Sequence, residues 1–237
     1  MKIVFIGDPH GLLDQAAAIA AAEQADLVIL AGDQTPEEPM DEIMHRFPCQ
    51  VRFILGNHDT DQDRFLNNHL PAWDKNINCK IVEFGGVRIA GLGGVFRGTV
   101  WHPGHEENWR FYDRKSFLRQ TRPNTRFKDW LPRKHWSTIF PEDLEILKSQ
   151  GPVDVLVCHQ PPSSHHHGFK AVDDLAAILN VKMIIHGHHH EFYETTLENR
   201  TKVVGLGILS RERDFQDMGY FVLDTEELVM DLKVSSG

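Results

Sequence analysis

The stretch VRFILGNHDTD, Val51 to Asp61, decides how this chain is read. From Val51 to Leu55 it is mostly apolar, the composition of a strand entering a core, and it then stops at Gly56, Asn57, His58 and Asp59. Gly, Asn and Asp are ordinary turn formers, so the four residues are either a turn or a site. Alone they do not decide.

The rest of the chain repeats the pattern. Short β-rich runs appear at KIVFI (2–6), DLVILAGD (26–33), VRIAGLGG (87–94), VDVLVCHQPP (153–162) and VKMIIHGHHH (181–190), with others near KVVGLG, YFVLD and LVMDLKV. Helical patterns lie between several of them: LLDQAAAIAAAEQ (12–24), PEDLEILKSQG (141–151) and AVDDLAAILN (171–180). Strands alternating with helices predict an α/β layer architecture, partly antiparallel at the C-terminal end, where the strand runs come without helices.

Polar residues follow the apolar runs. Asp8 and His10 follow the first, Gly32 and Asp33 the second, and Gly56 to Asp59 the third. His159 follows a later run, and His188, His189 and His190 follow the last. Open α/β sheets bind ligands outside the carboxyl ends of their strands, so five strands would deliver Asp, His and Asn to one rim. In extended chain, residues i and i+2 face the same side, which pairs Asp8 with His10 and His188 with His190 and turns His189 away. Asp8, His10, Asp33, Asn57, His159, His188 and His190 form a mixed N/O donor set suited to Zn, Fe or Mn. They are too many for one tetrahedral ion and about right for two ions sharing a carboxylate.

The ordered blocks D-x-H, G-D, G-N-H-D, H and G-H-x-H resemble those of the calcineurin-like metallophosphoesterase family. A lone G-D is a weak signal; five blocks in order from 8 to 190, each after an expected strand, are a strong one. The resemblance implies a two-sheet β-sandwich flanked by α-helices and a metal-dependent phosphoric ester hydrolase. It also implies a division of labour: Asp8, His10 and His190 on one divalent ion, Asn57, His159 and His188 on the other, and Asp33 bridging them. His58 would sit over the substrate with Asp59 orienting its ring. Two metals roughly 3.5–4 Å apart would clamp the phosphoryl oxygens and generate a bridging hydroxide, with His58 serving the leaving oxygen. GNHD is then both a turn and a site. Manganese is the first expectation for the metal, with iron or zinc as alternatives.

Each residue also has a plainer reading. Asp59 could cap a following helix, and Asn57 could be a turn amide. His186 reads as packed behind the site rather than as a ligand. His165, His166 and His167 read as a solvated loop near His159 that could overhang the site. Arg97 could meet a substrate phosphate or be an ordinary surface arginine.

Composition sets outer limits. The chain has 237 residues with 41% hydrophobic and 25% charged content, ordinary for a globular protein, and is read as one domain over 1–237. A formal charge of −9 argues against indiscriminate binding to nucleic acid or anionic membrane. Cys49, Cys79 and Cys158 form no CxxC pair, which points to a reduced compartment. The short N-terminal apolar run is too brief for a secretory signal, and no run reaches a membrane span, so the expectation is a cytoplasmic protein.

One segment stands apart. Residues 97–136 are aromatic and carry ten basic residues against four acidic ones, Glu106, Glu107, Asp113 and Asp129. This predicts an insert, read as a helical cap with buried aromatics, a groove for nucleic acid, or a lipid-facing lid. The complete donor set together with the basic segment points to a phosphodiesterase acting on a nucleotide or nucleic-acid substrate, with a phosphomonoesterase or protein phosphatase as the alternative. The phosphatase block GDxVDRG is replaced here by AGDQTPEE, which counts against a phosphopeptide preference. A non-catalytic scaffold on the same fold would be expected to have lost ligands, and none is missing.

Overall fold

The computed structural model describes residues 1–104, 109–210 and 218–228. The strand runs form two sheets. One is four-stranded in the order β10-β1-β2-β3, from Tyr220–Asp224 (β10), Lys2–Ile6 (β1), Leu27–Leu30 (β2) and Gln50–Phe53 (β3). The other is six-stranded in the order β4-β5-β6-β7-β9-β8, from Ile81–Phe84 (β4), Val87–Leu92 (β5), Val155–Cys158 (β6), Met183–His186 (β7), Lys202–Gly205 (β9) and Tyr193–Thr196 (β8). β1, β2 and β3 run parallel, as do β5, β6, β7 and β9. β10, β4 and β8 are antiparallel edges. The strand expected at 228–234 lies, beyond Leu228, outside the described residues, as do Glu106 and Glu107.

The central parallel strands β1, β2, β6 and β7 are apolar on both faces because both faces are covered. Ile3 and Phe5 of β1 and Leu27 and Ile29 of β2 face Ile89, Val155, Val157 and Ile185 of the other sheet, forming the middle of the sandwich. Val4, Ile6, Val28 and Leu30 alternate outward onto Leu13, Ala16 and Ala20 of helix α1 (Leu13–Ala22) and onto Met40 and Ile43 of α2 (Met40–Met44). A further helix, α3 (Asp63–His69), follows β3 and adds Leu66 to this layer. The outer face of the six-stranded sheet, through Leu92, Leu156, Cys158 and Ile184, packs against α5 (Pro141–Ser149) and α6 (Lys170–Ile178). The two-sheet sandwich flanked by helices is the architecture that the family resemblance implies, and it realises the α/β layering read from the strand and helix runs.

The described residues of the segment 97–136 are packed onto the body by several apolar side chains. Val100, Trp101, Phe117 and Leu131 join the cluster beneath α5 and α6, Phe117 coming from α4 (Arg114–Gln120). Asp113 caps α4 by accepting from the Ser116 amide. Several arginines of the segment are committed to protein partners: Arg114 to Glu142 and Asp143, Arg126 to the Leu118 and Thr121 carbonyls, and Arg133 to Asp63 and the Thr60 carbonyl.

Candidate metal centre

The loops that leave β1, β2, β3, β6 and β7 at their carboxyl ends meet at one end of the sandwich. Two groups of side chains there are close enough to hold a metal ion: Asp8, His10 and His190, and Asp33, His159 and His188. Within the first, His10 Nε2 lies 3.2 Å from His190 Nε2, and His190 Nε2 lies 3.6 Å from Asp8 Oδ1. Within the second, His159 Nε2 lies 3.4 Å from Asp33 Oδ2 and 3.2 Å from Asn57 Oδ1. The His188 amide donates to Asp8 Oδ2 at 2.9 Å, tying the groups together.

The route to this convergence differs from strand alternation. Asp8, His10, Asp33, His188 and His190 all have positive φ, between 41° and 82°, so the donors sit in left-handed turns and not in extended chain. Non-glycine residues held in that region collect at functional sites, where surrounding structure compensates the strain. His188 falls in one group and His190 in the other. His189 belongs to neither.

Glycines in the blocks make room for the donors. A Cβ on Gly56 would come within 2.1 Å of Asp33 Oδ1, and one on Gly187 within 2.3 Å of Asp8 Oδ2. His159 is fully buried; its Nδ1–H donates to the Ala31 carbonyl at 2.9 Å, and Nε2 faces Asp33 and Asn57. That second hydrogen bond is how ligating histidines are usually oriented.

The donors fit cations. Asp8 Oδ1 and Asp33 Oδ2 are buried carboxylate oxygens with no hydrogen-bond partner, although both residues are 0% exposed. An uncompensated buried acceptor is costly, and a cation beside it removes the cost. Burial opposes charge on both Asp33 and His159. Their mutual attraction outweighs it, holding the Asp33 carboxyl well below its usual range and pushing His159 up to about 9. Burial and the neighbouring His159 instead lower His188 to about 3, leaving that imidazole neutral. The buried carboxylates thus favour positive charge at His159, while His188 keeps a neutral ring.

The structure corrects the role expected of Asp59. Its carboxylate is completely buried and accepts from the amides of Thr35 and Gly56, each at 2.8 Å, pinning the third block to the loop after β2. Burial, then Asp33, raises its pKa to about 8. The partner of His58 is Asp61, whose Oδ2 lies 2.6 Å from His58 Nδ1. Asp61 was missed in the sequence, although its i, i+3 spacing from His58 places the two on one face of the turn Asn57–Asp61. Ser137 and Thr138 were missed as well. Their hydroxyls accept from the Arg97 guanidinium at 3.4 and 3.1 Å and hold it where Asp61 and Asp33 act on its charge.

The sequence pattern of the calcineurin-like phosphoesterases matches residues 1–192, and the chain belongs to that family. The family implies a binuclear divalent metal centre and phosphoric ester hydrolysis. A protein of Haemophilus influenzae described only as uncharacterized is 34% identical over 212 residues, covering 88% of this chain and 92% of its own. Among solved structures, the phosphopantetheinyl hydrolase of Mycobacterium tuberculosis is similar in fold, with a TM-score of 0.52, 16% identity and coverage of 95% of this chain and 97% of that one. A dimetal phosphatase from Danio rerio has a TM-score of 0.51, 14% identity and coverage of 88% and 87%. No helix among the described residues is long and apolar enough to cross a membrane.

Proposed function

We propose that the chain hydrolyses small phosphodiesters of nucleotide type, with one divalent cation held by Asp8, His10 and His190, a second by Asn57, His159 and His188, and Asp33 between them. The observation that carries this reading is the pair of buried, unpartnered carboxylate oxygens, Asp8 Oδ1 and Asp33 Oδ2, set among imidazoles. Manganese is the first candidate, and the N/O donor set also suits iron or zinc. Bound there, the cations supply neutralisation of the phosphoryl oxygens and a water nucleophile at neutral pH.

The remaining work falls to side chains. With Nδ1–H donated to Asp61, His58 keeps Nε2 for the leaving oxygen, and its half-exposed side chain is open to a substrate. Arg97 is held by hydroxyls rather than carboxylates, so its charge remains free to meet a phosphate oxygen. Departure from GDxVDRG favours a diester over a phosphoprotein. A nucleic-acid strand is a weaker expectation than a small ester, because Arg114, Arg126 and Arg133 are tied to protein groups.

The test is turnover of an aryl phosphodiester and an aryl phosphomonoester with added manganese. Faster diester turnover, abolished in Asp33→Ala and strongly reduced in His58→Ala, is the expected result. Turnover of neither ester, or variants as active as wild type, overturns the proposal; a monoester preference replaces the substrate class alone.

A further inference from the structure

A third cluster lies beside the two groups already described. Ligand atoms of His165, His166 and Glu191 lie within 4.8 Å of one another, and none of these residues belongs to either of the other groups. His165 is only 5% exposed, and its Nε2 is buried without a hydrogen bond, 3.4 Å from Glu191 Oε2. His166 and Glu191 are exposed, so their side chains can adjust around an ion. The loop is braced from behind. The Tyr193 hydroxyl lies 2.8 Å from His186 Nε2 and 3.3 Å from Ser164 Oγ, while His189 stacks on the His165 ring at 4.4 Å.

We propose that His165, His166 and Glu191 form a third cation site, separate from the binuclear pair, that takes a borderline divalent ion such as zinc. Two imidazoles and one carboxylate, with a fourth position open to water, are an established zinc donor set. Burial and the adjacent imidazoles of His166 and His167 lower the pKa of His165, against the raising effect of Glu191. The ion would join the loop that begins at His159 to the loop that carries His188 and His190. It therefore acts as a clip between two ligand-bearing segments.

One hydrogen bond must change. The His167 amide donates to His165 Nδ1 at 3.1 Å, which places the ring proton on Nε2. Coordination through Nε2 moves that proton to Nδ1, with no net proton released. The His167 amide, on an exposed residue, then turns to solvent.

Zinc content after equilibrium dialysis tests the site, using the full chain as wild type, His166→Ala, Glu191→Gln and His167→Ala. The same set is made in an Asp33→Ala background to separate it from the binuclear reading. His166→Ala and Glu191→Gln are each expected to bind one ion per chain fewer than their parent in both backgrounds, while His167→Ala loses none. Melting in chelator checks that the variants fold alike. Equal zinc content in wild type, His166→Ala and Glu191→Gln overturns the proposal. So does loss in both histidine variants with none in Glu191→Gln, which marks adventitious capture by an exposed histidine tract.

Discussion

His58 and Asp61 stand one turn apart, and the 2.6 Å contact between them makes a kinetic claim. Asp61→Ala frees the imidazole to rotate without touching a donor of either metal group. We expect kcat for an aryl phosphodiester to fall about tenfold to a hundredfold, below the 10²–10⁴ typical of losing an acid–base group outright, with metal stoichiometry unchanged. Asp59→Ala should behave differently. It strips two amides, that of half-buried Thr35 and that of buried Gly56, of their acceptor and unpins two ligand loops. Melting temperature and metal affinity should both drop, with a stability loss of about 2 kcal/mol or more. Equal thermal stability of the two variants would contradict the division of roles. Type and order of residues made the donors legible in the sequence, since Asp, His and Asn after apolar runs have few other uses in combination. The Asp59 and Asp61 roles were not legible, because two carboxylates in one turn are distinguished only by which of them the fold buries.

At the scale of elements, the parallel strands and α1, α5 and α6 could be read from the chain because their apolar periodicity is long or their caps are explicit. β4, β8, α2 and α3 could not. β4 and β8 are edge strands with little burial, and α2 and α3 are short helices whose formation depends on packing. The segment 97–136 shows the same limit from the other side. Its basic residues read as a cap, a nucleic-acid groove or a lipid-facing lid, and one of them, Arg114, instead reaches Asp143, which is only 1% exposed, and fastens α4 to α5. Removing Arg114 takes away that carboxylate's only charged partner among the described residues and leaves it the Phe140 amide and the Cys79 thiol, so Arg114→Ala should cost about 3 kcal/mol in a urea melt. The 3-10 turn Arg133–Ser137 of the same segment carries a pH signature. Burial, followed by the charges of Arg97 and Lys134, lowers His135 from 6.5 to about 4. Between those values the unfolded chain binds the proton and the folded chain does not, so stability falls as pH drops from 6.5 towards 4. Comparing melts of wild type and His135→Gln at pH 7 and 4.5 should show the variant losing less, by on the order of 2 kcal/mol.

The whole molecule places its donors on both sides of the sandwich. Asp8, Asp33 and Asn57 follow β1, β2 and β3 of one sheet, whereas His159, His188 and His190 follow β6 and β7 of the other. Each group draws from both sheets, as Asp8 with His190 and Asp33 with His159 show. Cations bound there tie the two sheets at one end, while Ile29, Ile89, Val157 and Ile185 join them by burial through the middle. The two kinds of join respond to different perturbations. A cation present at about a thousand times its Kd adds roughly 4 kcal/mol of stability per site, because the unfolded chain cannot assemble the donors. Manganese should therefore raise the melting temperature by several degrees, and a chelator should reverse the rise. In Asp33→Ala the metal-dependent rise should largely vanish. Ile89→Ala, which opens a cavity in the sandwich, should lower melting by an amount worth about 3 kcal/mol with or without metal. If manganese leaves the wild-type melt unmoved while Ile89→Ala still lowers it, the sheets are held by their core alone and the seven donors do not act together on cations.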